Sequence, residues 1–173
     1  MIEDNFGHIG EGIRLARFLS FKTDEIHYQF YNQTDARLHS ILSAVLFCIT
    51  HEIRLVLKDK SITVTDAVRS WEVQDRIYGH DHKDLSVQAK YKARPWASVH
   101  MYSPTRAIDI VIPSLSKEGE DKIEKFIEAF FPYGDGIHKS ILFHSVSGGR
   151  HAHLQVSLNE SLHRFVDGKS KYV

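Results

Sequence analysis

The chain is short of most things that would assign it quickly to a class. Its 173 residues contain a single cysteine, Cys48. That excludes an intrachain disulfide and a cysteine-rich closed metal site, so folding needs no oxidising compartment. It has no excess of either charge, with 22 basic against 22 acidic residues. The global basic footprint that marks a nucleic-acid partner is therefore missing. Long apolar runs are missing too. Even Ile41 to Ile53 is interrupted by Ser43, Thr50, His51 and Glu52, far from the ~20 apolar residues that a membrane span needs, and no membrane anchor is expected. The opening Met1-Ile-Glu-Asp-Asn-Phe6 lacks the basic and apolar regions of a signal peptide. Synthesis and folding in a cytoplasm is the expectation. Repeats, linkers and low-complexity tracts are absent, and the length suits one domain covering residues 1–173. Apolar and charged fractions of 42% and 25% are ordinary for a globular chain and argue against disorder.

Periodicity supplies the elements. Residues 5–19 carry apolar positions at mostly helical spacing, weakened by Gly7, Gly10 and Gly12. Asp35 is placed to cap a helix over 36–58, whose apolar positions Leu38, Ile41, Leu42, Val45, Leu46, Ile49, Ile53 and Leu57 bury one broad face. Ser61 to Val68 alternates with β-branched residues and predicts a strand. Trp71 to Tyr78 predicts a short helix, and the charged 80–97 segment a surface loop. Thr105 to Ile112 predicts a strand, and Lys117 to Phe131 a second amphipathic helix with Ile123, Phe126, Ile127 and Phe130 on one face. Ile141 to Val146 and His151 to Leu158 predict a hairpin across Ser147-Gly-Gly. The expected fold is a single α+β domain, a small and mainly antiparallel sheet with helices packed against it.

Twelve residues are histidine, and four positions stand out among the possible ligands. His100 and Asp109 lie in Ser98-Val-His-Met-Tyr-Ser-Pro-Thr-Arg-Ala-Ile-Asp109, and the pair His151 and His153 lies in Gly148-Gly-Arg-His-Ala-His-Leu-Gln-Val156. Two imidazoles and one carboxylate from separate segments leave Zn²⁺ a fourth position for water, the catalytic rather than the structural arrangement. Residues two apart on a strand share a face, so His151 and His153 are expected to project together, with Gln155 continuing the row. A strand bearing Asp109 beside this one would bring the ligands to one side of the sheet.

These segments resemble the zinc D-Ala-D-Ala carboxypeptidase family, which includes phage L-alanyl-D-glutamate endopeptidases. Ser98-Val-His100 leading to Ala107-Ile-Asp109 is similar to the family's Ser-x-His-x-x-Gly-x-Ala-x-Asp signature. His153-Leu-Gln-Val resembles the strand of its last zinc ligand, and His151-Ala-His153 the His-x-His pair shared with lysostaphin-type peptidases and hedgehog. Val64-Thr-Asp-Ala-Val-Arg69-Ser-Trp-Glu-Val-Gln74 is similar to the family's strand, Arg-Ser and following helix. The matches run in order over a motif core of about 60–158. The resemblance implies Zn²⁺ on His100, Asp109 and His153, His151 as base or transition-state stabiliser, Arg69 as substrate-orienting residue and Ser98 as support. Two departures are plain. Asp109 follows His100 by nine positions rather than the family's seven, and Arg150 stands where many members carry an acidic base. A bulge around Ser103-Pro-Thr105 would still allow both ligands one metal.

Commoner roles compete for several of these residues. Arg69 at a helix start also suits solvent pairing with Glu72 or Asp75, and Ser98 suits an ordinary turn. Trp71, Trp96 and Tyr102 suit a cleft or the core. His138 and His144 are spare histidines near the site, His80-Asp-His82 lacks a partner carboxylate, and His51-Glu52 does not extend to His-Glu-x-x-His because Leu55 occupies the second position. The resemblance implies a zinc peptidase of peptidoglycan stem peptides, an endolysin released by a holin or a lysin carried with other virion proteins, acting at the cell wall. The alternatives are a degenerate member serving as a structural or binding module, and a non-enzymatic phage assembly protein with coincidental histidines.

Overall fold

A computed structural model describes residues 15–58, 60–80, 83–93, 98–146, 149–157, 163–166 and 169–172. Its centre is a five-stranded sheet in the order β1-β2-β4-β6-β5. The strands are β1 (Leu19–Phe21), β2 (Ile62–Asp66), β4 (Ala107–Val111), β6 (Gly149–Gln155) and β5 (Ile141–Val146). β1 pairs with β2 in parallel, and the other pairs are antiparallel. A second sheet, β3-β7-β8, joins Tyr102–Ser103, His163–Val166 and Lys169–Tyr172. The helices are α1 (Leu15–Phe18), α2 (Asp24–Asn32), α3 (Ala36–Phe47), α4 (Trp71–Asp75), α5 (Leu85–Ala93) and α6 (Lys117–Phe130). The domain is α+β, as expected.

The strand period of two sorts the chemistry. Ile108, Ile110, Ala152 and Leu154 face the core with Ile62, Val64 and Ile141, against Leu38, Leu42 and Val45 of α3 and Ile123 and Ile127 of α6. Each fully buried Leu or Ile contributes about 1.5–3 kcal/mol, so this face holds the domain together. Asp109, His151 and His153 alternate with these core residues and project from the opposite face.

Asp35 caps α3 as expected, accepting from the Arg37 N–H at 3.0 Å. The helix is shorter than its apolar rhythm suggests. It passes into a π turn at Cys48–Glu52, and Arg54 then takes φ 57°. A left-handed residue costs roughly 1–2 kcal/mol and cannot continue a right-handed helix, so Leu55 and Leu57 pack on the core from an irregular segment. α6 matches its expected span, capped by Ser116, whose hydroxyl accepts from Gly119 N at 3.1 Å. Phe130 departs from the expected apolar face: it is 67% exposed and leans on Phe126.

Three further expectations change. Of the expected 5–19 helix, residues 15–18 are helical, Leu19 instead opens strand β1, and residues 5–14 lie outside the described residues. The expected 80–97 loop contains α5, whose Leu-Ser-Val-Gln-Ala-Lys-Tyr-Lys-Ala sequence has no apolar stripe to reveal it. The second sheet adds strands past the motif core that were not expected from the sequence, with β7 pairing β3 at Tyr102↔Arg164 and Ser103↔His163. The expected hairpin is present as β5 and β6, with its turn residues 147–148 outside the described residues.

Candidate metal centre

Register brings the first two ligands together. In the β4–β6 pair Asp109 lies opposite His153, and Val111 opposite His151. The Asp109 Oδ1 to His153 Nδ1 distance is 2.7 Å. His100 arrives from a tight turn, Val99–Met101, just before β3. Its Nε2 lies 3.5 Å from Asp109 Oδ1 and 3.3 Å from His153 Nδ1. The inserted segment between the ligands is drawn shut by Thr105, whose hydroxyl sits 3.2–3.5 Å from the carbonyls of Ala67, Val99, His100 and Ala107. The nine-residue spacing therefore closes onto one point, as the sequence required.

The surroundings orient each donor. His100 is 1% exposed, and its Nδ1 meets Ala67 O at 2.7 Å. A carbonyl only accepts, so Nδ1 carries the hydrogen and Nε2 keeps its lone pair for the cluster. The Arg69 N–H in turn donates to His100 O at 3.1 Å. Burial opposes ionisation of Asp109, but its interactions with His100 and His153 outweigh it and hold the carboxyl well below the usual range. Burial likewise opposes the Arg69 charge, yet Asp66 and Asp109 hold it above its ordinary value.

His100 Nε2, His153 Nδ1 and Asp109 Oδ1 thus point at one another, and all the offered donor atoms fall within 4.8 Å. A divalent cation satisfies all three lone pairs, and an outer carbonyl on the first imidazole is the usual support of a metal-bound histidine. The donor set fits a metal ion. No protein-family model matches the chain, and no curated protein or solved structure is significantly similar to it.

The remaining site residues divide. His151 shares the outer face with His153, one pleat along β6, and lies opposite His144 with ring centroids 6.1 Å apart. Arg69 is 7% exposed and has an acceptor at each nitrogen: Nε with Asp66, Nη2 with Asp109 Oδ2 at 2.8 Å and Nη1 with Gln74 Oε1 at 3.4 Å. Its partners are neither Glu72 nor Asp75. The Ser98 side chain makes no capping bond to the turn it precedes, and its carbonyl accepts from Met101 N at 3.1 Å. Arg150 turns to the helix face and pairs with the fully buried Glu120 of α6. The family's acidic-base position therefore points away from the centre here.

Tyr102 belongs to the core, 4% exposed with the Arg106 guanidinium 4.0 Å above its ring. Trp71 is half-buried at the start of α4, and Trp96 lies outside the described residues. His138 is exposed and held by Asp135 at 2.5 Å, and His51 stacks on Phe47. His82 lies outside the described residues. Sequence reasoning missed Asp66 and Gln74. Asp66 sits in the quoted strand three residues before Arg69, and a carboxylate at that spacing from an arginine was the available signal.

Proposed function

We propose that this protein is a zinc-dependent peptidase that cleaves a peptide bond in peptidoglycan stem peptides. The observation that carries the reading is the convergence of His100 Nε2, Asp109 Oδ1 and His153 Nδ1 from three segments onto one point. Two nitrogens and one carboxylate oxygen suit zinc and leave a position open. Bound there, zinc supplies Lewis acidity and a water with its pKa lowered to about 7. The chain's own residues do the rest. His100 and His153 would hold the ion together with Asp109, and the Ala67 carbonyl keeps His100 in the ligating tautomer. His151, on the same outer face, would hold or move a proton for the departing amine. The sequence resemblance names the substrate class.

The decisive experiment incubates the purified protein with peptidoglycan sacculi and measures new amino termini. Release is expected, blocked by a strong chelator and restored by Zn²⁺. New reducing sugar ends without new amino termini would make the chain a glycosidase. If the resemblance to phage lysins extends to delivery, co-expression with a holin is expected to lyse cells that tolerate the protein alone.

A second reading has one observation in its favour. Arg150 occupies the family's base position and is committed to Glu120, which suits a module that binds metal without catalysis, as a virion component would. Stoichiometric zinc with neither amino termini nor reducing ends released would select it.

A further inference from the structure

β2 and β4 meet in an arrangement that should repel. After a register shift between Val64 and Asp66, Asp66 lies directly opposite Asp109, and like charges facing each other across a strand pair are destabilising. Arg69 resolves the conflict. Chain reversal after β2 returns its guanidinium, 7% exposed, to lie between the two carboxylates. Nε binds Asp66 Oδ2, Nη2 binds Asp109 Oδ2 at 2.8 Å, and Nη1 reaches Gln74 Oε1 at 3.4 Å.

A planar fork with three separately engaged nitrogens has no rotational freedom left. Its hold therefore fixes the plane of the Asp109 carboxylate. Oδ2 is committed to Arg69, and only Oδ1 faces His100 Nε2 and His153 Nδ1, at 3.5 Å and 2.7 Å. Three of the five guanidinium N–H donors are thus engaged within the protein, in a residue that is 7% exposed.

We infer that Asp66, acting through Arg69, is a positioning residue that makes Asp109 a one-oxygen ligand and thereby sets the affinity and coordination number of the metal centre. The inference rests on the metal-centre reading above. Without Asp66 the guanidinium loses its anchor, Asp109 is free to rotate, and both of its oxygens become available to the cation. Arg69→Lys has the same consequence, because a single ammonium cannot span Asp66, Asp109 and Gln74 in fixed geometry.

The test uses the full chain stripped of metal and reloaded with Zn²⁺ against a chromophoric chelator, or with Co²⁺ for its visible absorption. Wild type, Asp66→Asn and Arg69→Lys are compared, with circular dichroism as the check on folding. Either folded variant is expected to bind Zn²⁺ 10–100-fold more weakly, the usual effect of losing an outer-shell partner. Its Co²⁺ bands are expected to weaken as the coordination number rises. Wild-type Zn²⁺ affinity together with an unchanged Co²⁺ spectrum in a folded variant would overturn the inference and leave the metal centre standing. Failure of the wild-type chain to take up either ion would overturn both.

Discussion

Asp109 carries more of the site than any other single residue, since it touches His153, His100 and Arg69 at once. Asp109→Ala is expected to abolish stoichiometric zinc binding and peptide release together, measured by metal analysis and amino-terminal assay. His151 makes a contrasting case, because it stands beside the ligand cluster without belonging to it. His151→Ala is expected to retain zinc and lose on the order of 10²-fold or more in kcat. Equal loss of metal in that variant would reassign His151 as a ligand. Asp35 offers a prediction away from the chemistry. Its carboxyl is buried, which raises its pKa, but the Arg37 side chain and N–H outweigh burial and depress it below the ordinary value. A depressed folded pKa gives stability that is present above the unfolded value of about 3.9 and is lost as pH falls through the folded one. Asp35→Ala is therefore expected to cost about 1 kcal/mol at neutral pH. The deficit, followed by urea denaturation, should shrink below about pH 4.

Among the elements, β6 has two duties on its two faces. Its outer face presents His151 and His153, and its inner face seats Ala152 and Leu154 while Arg150 reaches Glu120 on α6. Glu120 is fully buried, whereas the Arg150 side chain is 40% exposed and Lys117 lies 3.5 Å from the same carboxylate. Breaking a buried pair costs about 3–5 kcal/mol. With the exposure of Arg150 and the help of Lys117, Arg150→Ala is expected to cost about 2 kcal/mol. Glu120→Leu with Arg150→Met should recover most of that in thermal unfolding. Much of β6 was legible beforehand, because alternating His-Ala-His-Leu-Gln states its own facing and a strand needs only that pattern. The Asp109 strand and α6 were legible for the same reason. Elements whose existence depends on distant partners were not. Strand β1 has only three residues and exists through β2, and α5 shows no apolar stripe. The ligands could be named from residue type and spacing, but the Asp66–Arg69–Asp109 arrangement depends on a register shift that no local pattern announces.

At the scale of the whole molecule, no helix among the described residues is long and apolar enough to cross a membrane. The ligands come from His100, Asp109 and His153, and two of them are 44 positions apart. Metal bound there favours only the folded chain. Zn²⁺ at about 100 times its Kd is expected to add about 2.7 kcal/mol, raising Tm by roughly 5–10 °C for a chain of this size. A chelator should reverse the shift, and Asp109→Ala should not show it.

The strand order gives this centre a kinetic meaning. β4 belongs to a part of the sheet built from residues up to Val111, whereas β5 and β6 form a hairpin that docks against it as one piece. Asp109 and His153 face each other across that seam. An ion held between them would act as a rivet joining two plates, which matters little until both plates are in place. Interactions made after the folding barrier slow unfolding without hastening folding. In stopped-flow measurements zinc should therefore lower the unfolding limb and leave the refolding limb nearly unchanged. The metal would then serve the longevity of the folded chain.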